Sequence, residues 1–372
     1  MEPSALDSPD HVVSAARDML MPQLREVVGR IPPPLHTPCA YQFGLVDATG
    51  QEVAYRGPTY RVVALVLLSA GAEEDTWQRA REVALACALI HGYAFICDDI
   101  IDGDLTRRGF PSVWRTFGTA TAILAADLLL TTALSRLAEL ETPASRAAAG
   151  LLSGALQGGL RAQALEGQYE QRGDVSLQQA LDVVDGKTSD WVAACCEAGA
   201  LQAGTGAERA PLMRSYGWHV GRVIQLRDDV VDVFGEKRTA APPKRDDLRT
   251  RKKSSIVCAA LESGHALQDE LASYYRRPHG PQDSEIDRMA ALVDQCGGRD
   301  WAERQITRHL RQAHSCAHRA ADDPRAAELM CDYADMFADQ SVGDRTFHAP
   351  ARGQRVDHDA PRRGTHRSGT GG

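Results

Sequence analysis

Strand-like alternation of apolar and polar residues is scarce in this 372-residue chain, and only 6% of it is aromatic. That argues against a β architecture. Excess positive charge is also missing. Forty-two Lys and Arg stand against 50 Asp and Glu, for a net charge of −8. Nonspecific binding of nucleic acid, or a basic membrane-surface protein, is therefore disfavoured. The longest apolar run, Val62 to Ala72, is too short to span a bilayer. The opening MEPSALDSPD lacks the basic and then apolar pattern of a signal peptide, so a cytoplasmic protein is expected. Nine cysteines, an odd number, include no CxxC zinc pattern. Reduced thiols are the simple reading. No repeat of solenoid period is present.

What the chain does have is long Ala- and Leu-rich stretches at helical spacing, broken by Gly, Pro and polar residues. Helices are expected over about 9–30, 59–72, 76–102, 119–140, 145–172, 176–204, 209–235, 252–273, 284–296, 299–320 and 323–340. The fold class is all-α. Residues 1–38 read as an N-terminal helix and linker, 39–342 as the main domain, and 343–372 as a disordered tail. That tail carries six Arg, three Asp and three His and almost nothing apolar, too little burial to offset its ordering entropy.

Two acidic clusters carry the chemistry. Asp98-Asp99-Ile100-Ile101-Asp102 follows VALACALIHGYAFIC, in which His91 is the one residue of ordinary charge-bearing chemistry. A helix apolar all round is a buried helix. Asp98 and Asp102 share one face of it. Three carboxylates thus crowd the negative end of a helix dipole, an arrangement that bound cations relieve. Asp228-Asp229-Val230-Val231-Asp232 repeats the spacing after a largely apolar run. Hard oxygen ligands in this number suit Mg²⁺, which takes a few carboxylates and keeps places for water and phosphate oxygens. One DDxxD is as well read as a solvated helix end; two copies, each ending an apolar helix, are not.

The segments DDIIDGDLTRRG and QLRDDVVD resemble the two aspartate-rich motifs of the trans-isoprenyl diphosphate synthases, the polyprenyl synthetase family. GKTSDW resembles its KT motif (Lys187, Thr188), EGQYEQ its GQxxD with Gln171 in place of Asp, and DDLRTRKKS the segment that supplies Lys252. The resemblance spans about residues 39 to 340. It implies an antiparallel helix bundle around a central cavity, with the clusters facing each other at its mouth. It further implies Asp98, Asp99, Asp102, Asp228, Asp229 and Asp232 as the ligand set for three Mg²⁺ ions. Lys187, Lys252, Arg107 and Gln225 would hold or orient the diphosphate of an allylic prenyl substrate, with Thr188 beside them. His91 and Arg108 would face isopentenyl diphosphate, and Tyr93 would floor the cavity and limit the chain to short lengths. A homodimer is the implied assembly.

The acceptor side departs from that pattern. Thr59 and Val62 stand where the family has a Lys and an Arg for isopentenyl diphosphate, with Arg61 one residue away. Two such charge-assisted bonds are worth about 3–6 kcal/mol together. Ala241-Pro242-Pro243 also replaces a Gly-Lys, with Lys244 a stand-in. Three reactions share the same ionisation step: chain elongation, transfer to a diphosphate-free acceptor such as indole, and cyclisation. A catalytically dead partner subunit is a fourth reading, opposed by the retention of all six motif aspartates.

Overall fold

Helical spacing in the sequence becomes helices almost throughout. The computed structural model describes residues 6–55, 57, 60–71, 74–204, 208–235, 245–277, 279–321 and 324–339. Thr59, Ala241 to Lys244 and the tail 343–372 lie outside these residues. Helix α1 (Pro9–Gly29) opens at Ser8, whose side chain accepts from the His11 N–H, with proline in the first turn. Its fully buried Val12, Ala16, Leu20 and Leu24, four apart, join the one large core. No core boundary therefore falls at residue 38. The connection after it holds a short helix, α2 (His36–Gln42), that the sequence spacing did not reveal.

Helix α3 (Arg61–Ala70) is buried on every face from Val63 on. Helix α4 (Glu74–Asp102) is buried all round from Val83 to Ile90. Each fully buried Leu or Ile there contributes about 1.5–3 kcal/mol. That burial anchors the helix against the repulsion among the carboxylates at its end. A two-stranded hairpin follows, β1 (Thr106–Arg107) and β2 (Phe110–Pro111), then α5 (Val113–Phe117) and α6 (Thr119–Ala138). By length and composition, α4 and α6 are each able to cross a bilayer, which the count of unbroken apolar runs had missed. The apolar stretch of α4 is mostly buried within the protein, as a core helix is.

Helix α7 (Pro143–Glu170) is capped by Thr142, and α8 (Leu177–Val184) by a reciprocal Ser176–Gln179 box. The helix expected over 176–204 is interrupted by a π-helical turn, Asp185–Ser189, before α9 (Asp190–Gln202). Two contacts account for the interruption. Arg222 of α10 (Arg209–Phe234) grips the Asp185 carboxylate with two bonds, at 2.5 and 2.6 Å. Gly221 of α10 also comes so close that a Cβ there would lie 2.6 Å from the Cα of Ser189. Widened turns of this kind are frequent at functional sites.

After α11 (Asp246–Arg249), the expected helix over 252–273 is two. Helix α12 (Ser255–Leu261) and α13 (Gln268–Arg276) are separated by a turn in which Gly264 takes a φ of +72°. Helices α14 (Asp283–Gln295), α15 (Gly298–Ala320) and α16 (Pro324–Asp339) complete the bundle. All nine cysteines are free thiols, in keeping with their reading as packing residues.

Candidate active site

The carboxylates of the two acidic helix ends differ in burial. Asp99 is fully buried and receives Arg107, through Nε at 2.9 Å and through NH2. Asp229 is 3% exposed; it accepts from Gln225 Nε2 and from Ser255 Oγ, each at 2.9 Å. Asp232 is 2% exposed and accepts the Asp247 backbone N–H at 3.0 Å. The six motif aspartates are therefore not equivalent in their surroundings. Asp99, Asp229 and Asp232 brace the hairpin, α12 and α11. Asp98 and Asp228 are half-buried and Asp102 is exposed at the rim. Neither Asp98 nor Asp102 has a hydrogen bond among the described residues.

Burial raises the Asp99 carboxyl to about 6 in spite of Arg107. It raises Asp229 to about 7, with Asp247 adding to the effect. Asp102, open to solvent on one side but crowded by protein on the other, is raised to about 6 by that crowding, opposed by Lys187 and Lys252. That opposition places the first cluster within electrostatic reach of both lysines.

Lys187 sits in the π turn and Lys252 just before α12. Both reach Glu166 on α7, at 2.8 and 3.0 Å, one on each carboxylate oxygen. Burial alone would raise Glu166, but Lys252 and Lys187 hold it down at about 2. Burial disfavours the charged form of Lys252, yet Asp247, Glu166, Asp229 and Asp102 together raise it well above the ordinary value. Thr188 donates to the Gln225 side-chain oxygen at 2.8 Å, so a chain of bonds runs Thr188–Gln225–Asp229–Ser255. A small pocket opens here, walled by Lys187, Lys252, Glu166, Gln225 and Asp229 and by apolar Val183 and Val184.

Glu166, Asp247 and Ser255 are contributors that sequence reasoning left out. Glu166 is the first residue of EGQYEQ and Asp247 the second of DDLRTRKKS, so their place within the quoted segments was the available signal. Gln171, the departure from the family motif, is the exposed C-cap of α7.

The acceptor-side candidates gather on α4 and the hairpin. Arg108, with φ +54°, donates to the Gln42 carbonyl at 3.0 Å. Both Arg107 and Arg108 lie over the Phe95 ring, at 5.0 and 5.5 Å. Arg107 thereby engages both the Asp99 carboxylate and the Phe95 ring. His91 stacks on Phe95 and accepts a hydrogen bond from Trp191 Nε1 at 2.8 Å. Trp191 is buried, with this one side-chain hydrogen bond among the described residues. A cavity of about 210 Å³ lies behind the arginine pair, lined by Tyr41, Gln42, Asp47 and Ser112 among others. Val62 is half-buried in the first turn of α3. Tyr93 is 8% exposed; burial, then Cys97 beside its hydroxyl, pushes it up to about 12.

Among the described residues no three His, Cys, Asp or Glu side chains converge on one point. A closed all-protein metal cage is therefore absent among them. Carboxylates presented at the rim of α4 and on α10, without convergence, fit a hard cation that keeps water and shares its coordination with substrate phosphate.

The model of the polyprenyl synthetase family matches residues 46–293. The (2E,6E)-farnesyl diphosphate synthase of Mycobacterium tuberculosis is 31% identical over 334 residues, covering 89% of this chain and 93% of that relative. The crystal structure of a polyprenyl synthetase from Streptomyces coelicolor A3(2) superposes with a TM-score of 0.79 at 31% identity, covering 88% of this chain and 98% of that one. A geranylgeranyl pyrophosphate synthase from Corynebacterium glutamicum, solved with isoprenyl diphosphate and magnesium, shares the fold at 22% identity and a TM-score of 0.75, over 88% of this chain and 98% of that one. Fold and matches define the class, an all-α prenyltransferase. The chain belongs to the polyprenyl synthetase family.

Proposed function

We propose that this protein elongates an allylic prenyl diphosphate of the C10–C20 range with isopentenyl diphosphate, in a Mg²⁺-dependent reaction. The observation that carries the reading is the lysine pair, Lys187 and Lys252, held on one carboxylate between the α4 and α10 acidic clusters. The farnesyl-forming relative, matched over nearly the whole chain, supports elongation over the alternatives.

Asp98, Asp102 and Asp228 would hold the metal, three ions being expected. When bound, Mg²⁺ supplies Lewis-acid charge to the leaving diphosphate. Lys187 and Lys252 exchange Glu166 for diphosphate oxygens and bind the charge that grows there as the C–O bond breaks. Thr188 and Gln225 keep the π turn and α10 in register under them. The apolar walls would exclude water from the allylic cation; the acceptor double bond attacks it, and the resulting adduct cation then loses a proton, for which the released diphosphate is the available base. His91 and Arg108 hold the acceptor, and Tyr93 limits chain length from one turn below Asp98.

A homodimer belongs to this reading. Ile123, Leu124 and Leu134 are 47%, 55% and 37% exposed along the outer face of α6, the size of side chain that a partner helix covers. Light scattering of Leu124→Arg should show the monomer where the unaltered protein shows the dimer.

The test is purified protein with Mg²⁺ and geranyl or farnesyl diphosphate, with and without isopentenyl diphosphate, read by mass spectrometry. A longer diphosphate formed only with isopentenyl diphosphate is the expected result. A hydrocarbon or alcohol formed regardless of it means cyclisation. Turnover appearing only on addition of indole means a neutral acceptor.

A further inference from the structure

Helices α4 and α9 run side by side behind the acceptor candidates. One turn below His91 on α4 is Cys87, and one turn beyond Trp191 on α9 is Cys195; their sulfurs lie 3.7 Å apart in the core. The contact above them is as closely set. Trp191 Nε1 is 2.8 Å from His91 Nε2, with ring centroids 5.3 Å apart and planes at 73°. An indole nitrogen only donates, so His91 Nε2 must offer a lone pair. A proton on that nitrogen would set two N–H groups against each other. The imidazole proton therefore sits on Nδ1, which has no hydrogen bond among the described residues.

We propose that Trp191 is a positioning residue that locks His91 as its neutral Nδ1–H tautomer, so that His91 offers the acceptor diphosphate one uncharged donor. The inference rests on His91 facing the acceptor, as in the proposed reaction. Two neighbouring side chains support the lock. Phe95 packs parallel to the imidazole, 5.9 Å away at 17°, fixing the ring from another side. Arg108 lies over that same Phe95 ring and already supplies the fixed positive charge at this end of the site. The division of labour is charge from Arg108 and a directed neutral hydrogen bond from His91.

The lock is read directly by nitrogen-15 NMR of histidine-labelled protein at pH 7, without substrate. The chain has 12 histidines, so His91 is assigned by difference from His91→Gln. The expected pattern is a bare Nε2 and a protonated Nδ1, with Nε2 gaining proton occupancy in Trp191→Phe. Thermal denaturation of Trp191→Phe establishes that the variant is folded. In steady-state assays, Trp191→Phe should raise the KM for isopentenyl diphosphate about fivefold and that for the allylic substrate by less. Glutamine, like the locked imidazole, both accepts from the indole and donates, so His91→Gln should keep at least fivefold more acceptor affinity than His91→Phe. A protonated Nε2 in the unaltered protein overturns the proposal. So does an unchanged acceptor KM in Trp191→Phe, or a His91→Gln as weak as His91→Phe, which would mean that the imidazole acts by charge. A protein with the expected tautomer that never elongates sinks the proposed reaction instead, and leaves the indole–imidazole lock standing.

Discussion

Lys187 and Lys252 arrive from different parts of the chain and bind the two oxygens of a single carboxylate, Glu166. Both ammonium groups are thereby held at about the spacing that two oxygens of one anion require. In the proposed reaction a diphosphate, which presents more charge than Glu166, would displace it. Glu166→Gln keeps the shape and removes the competitor. The variant should bind inorganic pyrophosphate more tightly in Mg²⁺-free buffer, by about tenfold, the scale of one charge-assisted bond. It should also be less stable without ligand, by about 1–3 kcal/mol, since Asp247, Asp229 and Asp102 still offset part of the lysine charge. Calorimetric titration and thermal melts check both. Unchanged pyrophosphate affinity would mean that the lysines do not serve as the diphosphate cradle.

The division between Asp98 and Asp99 leads to a second test. Adjacent residues on a helix point in directions about 100° apart, so a doubled aspartate cannot place both carboxylates in one site without distortion. Asp98→Ala should abolish turnover while leaving the melting temperature near its starting value, and Asp228→Ala should likewise abolish turnover. Asp99→Asn leaves Arg107 without its buried partner and should cost about 3 kcal/mol of stability. Comparing melting curves with kcat separates the two sets. Normal turnover from Asp98→Ala at unchanged Mg²⁺ demand would remove it from the ligand set.

How legible the site was in the sequence follows the same geometry. Periodicity alone locates the long helices, because a buried stripe such as Val12–Ala16–Leu20–Leu24 must recur with the turn. The paired DDxxD motifs mark the two helix ends on which the site is built. Which aspartate faces the site is decided by what packs on each face, and Arg107 reaches Asp99 only because the hairpin turns the chain back. The π turn was illegible for a similar reason. Nothing local in DGKTS breaks a helix beyond its glycine; the break comes from Arg222 and Gly221 on a distant helix. Glu166 lay inside a quoted motif, but its role exists only once Lys187 and Lys252 meet.

Acid stability tests the burial of His91. Its pKa falls from 6.5 to about 4, by desolvation first and then by Arg108. Between those values the unfolded chain carries a proton on this residue that the folded protein does not. Stability from this group is therefore fully present above pH 6.5, is lost as the pH falls toward 4, and changes no further below that. The loss amounts to about 3 kcal/mol. Carboxyls with raised values, Asp229 among them, act in the opposite sense. The measurable quantity is thus the difference between the unaltered protein and His91→Gln. Urea unfolding in EDTA at pH 7, 5.5 and 4 should show the glutamine variant gaining relative stability as the pH falls. A pH-independent difference would mean that His91 is solvated.

The acceptor side makes the last prediction. By the resemblance in sequence, Val62, in the first turn of α3, and Thr59, three residues earlier in the chain, would stand at the positions of two cations for isopentenyl diphosphate. The helix N-terminus already favours an anion there, at about 0.3–1 kcal/mol, and Arg61 adds a charge one residue away. If elongation proceeds through this weakened pocket, Thr59→Lys with Val62→Arg should lower the KM for isopentenyl diphosphate by about tenfold or more. The allylic KM should stay where it was, because the lysine pair and acidic clusters are untouched. The salt dependence of the acceptor KM should steepen as well, since exposed charges are screened over about 10 Å at 0.1 M. A double variant with the same acceptor KM and the same salt response would mean that the pocket serves a ligand without a diphosphate. The neutral-acceptor reaction, with indole as the first compound to add, would then displace elongation as the reading of this site.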